Sequence, residues 1–199
     1  LMPSTLTEPE AWSASAFSQY LGSPYIFCLE KLAGLRTLDD RDQEMGPLLF
    51  GSVGHEVLHQ FGQSDLAEST DSEAIADFLS KTLTSVCSKY FGRAPLPAVR
   101  LQSRQLAYRL DLFARRQALR TAGGWHIKRV EWVPALPVFL DVDGESVPLV
   151  GRIDRIDQHE DGRWAILDYK FGEKAKFPKN EHLRNGEWVN VQLPLYRHL

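Results

Sequence analysis

This chain of 199 residues has only two cysteines and no long apolar run. Its formal net charge is not positive. The two cysteines, Cys28 and Cys87, are 59 positions apart and indicate neither a disulfide framework nor a secretory compartment. No apolar stretch approaches the ~18 residues that a membrane-spanning helix needs. The opening LMPSTLTEPE lacks the basic-then-apolar layout of a signal peptide. We therefore expect a globular cytoplasmic protein with no membrane partner.

The charge balance excludes the overall basic footprint that is typical of nucleic-acid binders, because the formal net charge is −3. Residues 163 to 184 nevertheless hold six Lys/Arg against three Asp/Glu. We expect Lys174 and Lys176 in this segment, with Arg152 and Arg155 just before it, to contact the phosphates of DNA. A solvated loop has the same composition, and that alternative stays open.

The order of elements predicts an α/β fold, with a helical N-terminal half and a small mixed sheet flanked by helices. Apolar periodicity and the Pro and Gly breaks predict helices over residues 12 to 35, 46 to 62, 71 to 91, 100 to 122 and 188 to 199. Strands are predicted over residues 127 to 134, 137 to 142, 147 to 157 and 163 to 170. We expect one domain, with a helical part over about 1–124 and a catalytic sheet and final helix over 125–199.

The segment GRIDRIDQHEDGRWAILDYK, residues 151 to 170, has the signature of a β-hairpin, with Gly162 in its turn. Asp168 and Lys170 lie on one face of the second strand, because side chains alternate along a strand. The hairpin brings Asp154 towards them. Carboxylate oxygens are the ligands that Mg²⁺ prefers, and a neighbouring lysine can orient a water molecule. This pattern favours metal-assisted phosphodiester hydrolysis, although Asp-x-Lys also occurs by chance at many strand ends.

The segment GSVGHEVLHQF, residues 51 to 61, places His55 on an amphipathic helix. It also matches the zinc-peptidase pattern H-E-x-x-H through His55 and His59, and Asp65 extends the match. The extended pattern requires a methionine downstream, and both methionines of this chain lie upstream. A zinc peptidase is therefore disfavoured, and both histidines as ordinary helix residues remain an alternative.

The end of the chain, VNVQLPLYRHL, places Gln192 and Tyr196 four residues apart on one face of a helix. Such a pair can orient a water molecule and a phosphate, but it is also common on inert helices.

Taken together, five motifs in order resemble the RecB-like nucleases of the PD-(D/E)XK superfamily, which include the nuclease domains of AddB and RecB helicase–nucleases. The matching segments are Tyr20 with SPYIF at 23 to 27, GSVGH at 51 to 55, GRIDRID at 151 to 157, DYK at 168 to 170 and QLPLY at 192 to 196. Each motif is weak alone, but the ordered set is specific. It spans nearly the whole chain and implies a restriction-endonuclease-like core.

The resemblance also implies roles for individual residues. His55, Asp154, Asp168 and the main-chain carbonyl of Tyr169 would hold Mg²⁺ or Mn²⁺, whereas His59 would be incidental. Lys170 would position the attacking water. Gln192 and Tyr196 would line the site, and Glu131 matches an acidic catalytic residue on the first core strand of the family.

Many relatives carry four cysteines that hold an iron–sulfur cluster. This chain has Ser23 at the upstream cysteine position and ends at Leu199, so the residues present cannot hold such a cluster. We expect the sequence to be a fragment of a longer protein.

The resulting hypothesis is a Mg²⁺- or Mn²⁺-dependent DNA exonuclease that works with a helicase in the same protein or complex. A catalytically silent DNA-binding module is the second hypothesis, and a zinc peptidase is the third.

Overall fold

The computed structural model describes residues 11–32, 44–172, 182–184, 186–188 and 190–199, apart from the side chains of Arg184 and Glu187. These residues belong to two compact units. The first unit draws on residues 1–39, 133–152 and 174–199, and the second on residues 40–132 and 153–173.

Three long helices form one part of the second unit: α3 (Pro47–Gly62), α4 (Ser72–Phe91) and α5 (Pro97–Ala122). A short 3₁₀ helix, Asp65–Glu68, lies between α3 and α4. Proline at the first turn starts α3 and α5, where its missing N–H costs nothing. Asp71 begins α4, since its carboxylate accepts hydrogen bonds from the backbone of Glu73 and Ala74 at 2.9 and 3.2 Å. These helices follow the predicted ranges closely.

The core of this unit is built from apolar side chains that recur every three or four residues along each helix. The fully buried members on the three helices are Val53, Val57, Phe61, Ile75, Leu79, Leu106, Leu110 and Ala114. Tyr169 and Phe171 pack against the same cluster, and this contact joins the segment after the last strand of the unit to the helices.

An antiparallel sheet of order β2-β5-β6 completes the second unit, with β2 at Trp125–Trp132, β5 at Ile153–His159 and β6 at Trp164–Leu167. The β5–β6 hairpin confirms the prediction for residues 151 to 170, and Gly162 adopts φ +92 in its turn. Asp168, Tyr169 and Lys170 follow directly after β6 instead of lying within it.

The first unit contains a mixed sheet of order β1-β4-β3, in which β1 (Trp12–Ser13) is parallel to β4 (Glu145–Val150). Strand β3 (Val138–Val142) is antiparallel to β4. The remaining elements are α1 (Ala14–Gly22), α2 (Pro24–Phe27), a π-helical turn (Cys28–Leu32), the short pair β7 (Leu183–Arg184) and β8 (Glu187–Trp188), and α6 (Gln192–Tyr196).

Two proline residues explain where the helix predictions for this unit are wrong. The predicted helix over 12 to 35 is interrupted at Ser23, whose φ of −165° is extended and whose hydroxyl caps Ile26. Pro24 disfavours a helical residue before it and starts α2 instead. The final helix begins at Gln192, not near 188, because the ring of Pro194 excludes a helical carbonyl four residues earlier.

The predicted strand over 147 to 157 is divided at Gly151 and Arg152 into β4 and β5, which pair in different sheets. A Cβ atom on Gly151 would lie 2.6 Å from a methyl carbon of Leu199, so a side chain at this position would require the Leu199 side chain to move.

No helix in the described part of the chain is both long and apolar enough to cross a lipid bilayer.

Two glycines of α3 provide a test of this packing. A Cβ on Gly54 would lie 2.5 Å from the ring of Phe171, whereas a Cβ on Gly51 would meet nothing within 4 Å. We expect Gly54→Ala to lower the free energy of unfolding by about 1–2 kcal/mol through overpacking. Gly51→Ala should raise it by up to about 1 kcal/mol through helix propensity. Urea denaturation measures both, and equal effects of the two substitutions would contradict the packing described.

Candidate metal centre

The pairing of β2 with β5 brings two carboxylates face to face. Val130 pairs with Arg155 and Trp132 with Ile153, so Glu131 lies opposite Asp154. This register depends on a β-bulge, because Ile127 pairs with Asp157 but Arg129 pairs with Ile156. If every residue of β2 paired in regular register, Val130 would stand opposite Asp154. The bulge thus shifts the strand by one residue and aims an acidic side chain at the site.

The backbone of Glu131 has a left-handed conformation, with φ +48. This conformation is costly for a residue with a side chain, and such residues are enriched at functional sites. Neighbouring side chains of a regular strand point in opposite directions. Here, however, Val130 packs at Gly62 and Glu131 approaches His55, and both of these partners lie on α3. The positive φ therefore lets two consecutive residues of β2 reach the same helix.

His55 reaches the two carboxylates from α3. Its ring lies 5.4 Å from the ring of Phe171 and 6.1 Å from that of Tyr169, measured between centroids. Phe171 occupies the space that the absent side chain of Gly54 leaves. The guanidinium of Arg109 donates a hydrogen bond of 2.5 Å to the carbonyl of Phe171. The imidazole is thus held by aromatic neighbours that are themselves fixed to the helices.

His55, Glu131 and Asp154 form a group that could hold a metal ion, because one ligand atom from each lies within 4.8 Å of the other two. Nδ1 of His55 is 3.7 Å from a carboxylate oxygen of Glu131 and 3.7 Å from one of Asp154. Among the described residues, these three are the His, Cys, Asp or Glu side chains whose ligand atoms come this close together.

Asp154 is the most constrained member of the group, with a side chain 11% exposed. Its carboxylate accepts a hydrogen bond of 2.6 Å from the backbone N–H of Tyr169. Burial raises the pKa of this carboxyl group, and the negative charges of Asp168 and Glu131 raise it further. The Tyr169 hydrogen bond and the nearby His55 act in the opposite direction without reversing the shift. A cation placed among these carboxylates would offset the cost of burying their negative charges and the repulsion between them.

Asp168 and Lys170 form an ion pair beside this group. The ammonium of Lys170 lies 2.6 Å from the carboxylate of Asp168, whose side chain is 8% exposed, while that of Lys170 is 57% exposed. The two side chains therefore meet as the alternation of an extended segment predicts. The buried carboxylate of Asp168 holds the ammonium of the exposed Lys170 side chain in place. An ammonium held in this way can contact an anion that approaches from solvent.

A family model described as the PD-(D/E)XK nuclease superfamily matches residues 11–199. The chain belongs to the PD-(D/E)XK nuclease superfamily. Its mixed α/β architecture is accordingly the restriction-endonuclease-like fold that the motifs imply. The match spans the helices, both three-stranded sheets and α6.

Two curated relatives are each named as one subunit of an ATP-dependent helicase/deoxyribonuclease. The protein of Acetivibrio thermocellus is 25% identical over 188 residues, which cover 84% of this chain and 16% of that protein. The protein of Ruminiclostridium cellulolyticum is 26% identical over 181 residues, which cover 82% of this chain and 16% of that protein. The chain thus spans about a sixth of the length of these relatives.

Nucleases of the PD-(D/E)XK superfamily use divalent metals, and the donor set of this member fits such an ion. One imidazole nitrogen and two carboxylate oxygens suit Mg²⁺, Mn²⁺ and related cations better than soft, thiolate-preferring metals. The raised pKa of Asp154 supports the same conclusion, since burial and the negative charges of Asp168 and Glu131 disfavour its ionised form and a bound cation would favour it.

The sequence predicts that His55, Asp154 and Asp168 share one ion. The structure instead groups His55 and Asp154 with Glu131, for which the sequence predicts a catalytic role and not a metal-binding one. Ligation by Asp168 and by the carbonyl of Tyr169 stays a prediction. Among the described residues, His59 is not a member of the group, and its buried Nδ1 has no hydrogen-bond partner.

The sequence also predicts a DNA contact for Arg155, and the structure corrects this prediction, because the residue is 1% exposed. Its guanidinium donates to both carboxylate oxygens of Asp157 at 2.5 and 2.9 Å, to Gln117 at 2.7 Å and to the Tyr169 hydroxyl at 3.2 Å. Arg120 donates to the same Asp157 at 2.6 Å. Arg155 thus belongs to a buried network that holds the side chain of Tyr169.

A signal for this network exists in the sequence. Ile153, Arg155 and Asp157 alternate along β5, and all three are buried. Because β5 is the central strand of its sheet, its inward side chains face the core, where an arginine requires a carboxylate partner. Asp157 two residues after Arg155 is that partner. The spacing of the GRIDRID motif therefore encodes a buried ion pair as well as Asp154.

The other predicted residues lie elsewhere in the chain. Gln192 and Tyr196 belong to the first unit, where the amide of Gln192 donates to the hydroxyl of Tyr196 at 2.7 Å, as expected for one helix face. Arg152 is exposed, also in the first unit. Lys174 and Lys176 lie outside the described residues.

The raised pKa of Asp154 predicts how stability depends on pH. The folded chain binds the Asp154 proton more tightly than the unfolded chain. This tighter binding stabilises the folded chain fully below the ordinary carboxyl pKa of about 4. The stabilisation is lost as pH rises through the raised pKa of Asp154. In EDTA, Asp154→Asn should therefore raise the urea midpoint at pH 7 and change it little near pH 3. Mn²⁺ should stabilise the wild type and not the variant. A variant less stable than wild type at pH 7 in EDTA would contradict this account.

The buried network gives a second prediction with a matched control. Arg155→Gln leaves Asp157 buried with one of its cationic partners missing and should lower the free energy of unfolding by about 3–5 kcal/mol. Arg163 forms a similar pair with Asp161 at 2.8 Å, but that pair is exposed, so Arg163→Gln should cost no more than about 1 kcal/mol. Urea denaturation compares the two. If Arg155→Gln weakened DNA binding while leaving stability unchanged, Arg155 would be a DNA contact and not a structural residue.

Proposed function

We propose that this chain is a divalent-metal-dependent nuclease that hydrolyses phosphodiester bonds in DNA. The observation that carries the proposal is the group of His55, Glu131 and Asp154 beside the Asp168–Lys170 pair, in a chain of a nuclease superfamily. We propose Mg²⁺ or Mn²⁺ as the cation, because the donor set is mostly oxygen.

In this proposal His55, Glu131 and Asp154 hold the cation, and Asp168 and the main-chain carbonyl of Tyr169 complete its protein ligands. When bound, the cation supplies Lewis-acid polarisation of the scissile phosphate and activation of the attacking water. The Tyr169 N–H fixes the carboxylate of Asp154, and the two rings beside His55 fix the imidazole. Little reorganisation is then needed before the ion binds.

Lys170 contacts the reacting groups. Its side chain is 57% exposed, so a phosphate or a water molecule can reach it, while the ion pair with Asp168 keeps its ammonium beside the site. We assign Nζ of Lys170 to donate a hydrogen bond to the attacking water and to attract the phosphate electrostatically. Removing this ammonium should therefore lower turnover without unfolding the chain.

The proposal of DNA as substrate and of a helicase partner rests on the relatives, whose name combines helicase and deoxyribonuclease. Exonuclease action is proposed from the resemblance of the motifs to the RecB-like nucleases. Those proteins are about six times longer than this chain, so partnership with a helicase belongs to a larger assembly. We further propose that both units form one nuclease domain, since the family match spans them. Gln192 and Tyr196 would line its site, and Arg152, Lys174 and Lys176 would contact the DNA backbone.

A cleavage assay with matched variants tests the proposal. Purified protein should degrade DNA in Mg²⁺ or Mn²⁺ and stop in EDTA. Asp154→Asn and Lys170→Ala should each lower the rate at least ~100-fold, a loss of roughly 2.7 kcal/mol of transition-state stabilisation. Asp77 and Lys81 form an Asp–Lys pair of the same 2.6 Å length on the exposed surface of α4. Asp77→Asn and Lys81→Ala should leave the rate unchanged.

The same assay separates the competing hypotheses. Binding of DNA without cleavage in any divalent metal would favour the catalytically silent module. Stoichiometric zinc that is lost in His59→Ala would favour the peptidase. On end-labelled linear and closed circular DNA, an exonuclease should degrade only the linear molecule, whereas cleavage of both would replace the exonuclease assignment with an endonuclease.

A further inference from the structure

Helix α5 carries large apolar side chains on its outer face as well as on its buried face. Leu101, Tyr108, Leu112 and Leu119 are between 44% and 72% exposed. The opposite side of the helix, including Leu106, Leu110 and Ala114, is fully buried in the core. A helix that is apolar on both faces is typical of one that packs between two partners.

The exposed residues follow a coiled-coil spacing. Positions 101, 105, 108, 112, 115 and 119 are separated alternately by four and three residues, and they hold Leu, Gln, Tyr, Leu, Arg and Leu. We call these six positions the α5 seam. Alternation of three and four residues keeps a narrow stripe on one side of a helix, which is the geometry that pairs with another helix. At a rise of 1.5 Å per residue the seam is about 27 Å long.

Helix α5 has a strongly positive net charge, although Arg109 and Arg120 are held by contacts within the unit. Helix α5 contains six arginines and one acidic residue, Asp111. Asp111 is already paired with Arg115 at 3.0 Å. Arg104 and Arg116 are exposed and flank the seam on either side. In coiled coils, charges at the flanking positions select the partner by opposite sign.

A groove of about 360 Å³ between α4 and α5 borders the seam. Its lining includes the small side chains Ala76, Ser80 and Ala107 and the carboxylates Asp77 and Asp111. Small residues let another backbone approach closely, which favours contact with a protein segment. The carboxylates disfavour a phosphate backbone, and interfaces with DNA are polar instead of centred on leucine side chains.

We propose that the α5 seam docks one α-helix of a partner protein, with apolar residues at three- and four-residue spacing and Asp or Glu at the flanking positions. The leucines and Tyr108 supply the apolar contact, and Arg104 and Arg116 face the acidic flanks of the partner. A second copy of this chain is a poor occupant, because pairing α5 with itself brings arginines together. The surface is separate from the metal centre and independent of the proposed nuclease activity.

A designed peptide tests the proposal. The probe is a fluorescein-labelled helix of about 21 residues with leucine at the a and d positions of each heptad and glutamate at e and g. Fluorescence anisotropy with the full chain should show saturable binding that Leu112→Glu or Leu119→Glu weakens at least about tenfold. Leu48→Glu, at an exposed leucine of α3, is the matched control and should leave the affinity unchanged. A peptide with the same seam and lysine at e and g should bind at least about tenfold more weakly.

Four outcomes would overturn the proposal: no binding of the acidic peptide, equal binding of the lysine peptide, equal binding to the seam variants, or self-association of the chain that the seam variants abolish. Weaker binding of a DNA duplex by Arg104→Glu and Leu112→Glu alike would reassign the surface to nucleic acid. Circular dichroism and metal-dependent DNA cleavage by each variant confirm that loss of peptide binding does not reflect unfolding. A chain without nuclease activity that still binds the acidic peptide would leave this proposal standing and sink the proposed function.

Discussion

The buried ion pair between Arg155 and Asp157 is the interaction on which the second unit depends. Both side chains are almost inaccessible on the central strand of the sheet, so each charge requires the other. The pair also takes partners from α5, through Gln117 and Arg120, and from Tyr169 after β6. One strand thereby ties the long helix to the Asp168–Lys170 segment. A buried ion pair, which is costly to desolvate, thus helps to fix the backbone that carries Asp168 and Lys170.

The candidate metal centre lies next to this network and differs from it in its charges. The charges of the network are paired within the protein, whereas Glu131 and Asp154 both approach His55, with Asp168 nearby. Three features hold this arrangement: a β-bulge, a left-handed residue and a helix packed through Gly54. Each is unfavourable locally, and the packed core around them offsets the cost. Such strain is expected where geometry serves chemistry and not stability.

Much of the site could be predicted from the sequence, because its motifs are local. The helix that bears His55 and the hairpin that bears Asp154 follow from apolar periodicity and turn residues. The grouping of Glu131 with His55 could not be predicted, because it depends on a one-residue shift between strands that are distant in sequence. The burial of Arg155 could have been predicted from the sequence, since Ile153 and Asp157 lie on the same face of β5. Apolar periodicity alone predicts two helices that are too long. Pro24 and Pro194 indicate where the chain departs from those predictions.

The bulge in β2 has a consequence for comparing this chain with its relatives. A relative with a strand of the same length but no bulge would need its acidic side chain one position earlier to meet the same residue of the partner strand. Equivalent acids would then fall in different alignment columns, and a conserved group would look variable. The reliable marker of homology here is the residue across the ladder, Asp154, and not the distance along the chain. Deletion of the bulged residue would leave the acid opposite Asp154, whereas loss of the bulge without a deletion would require the acid to move by one position.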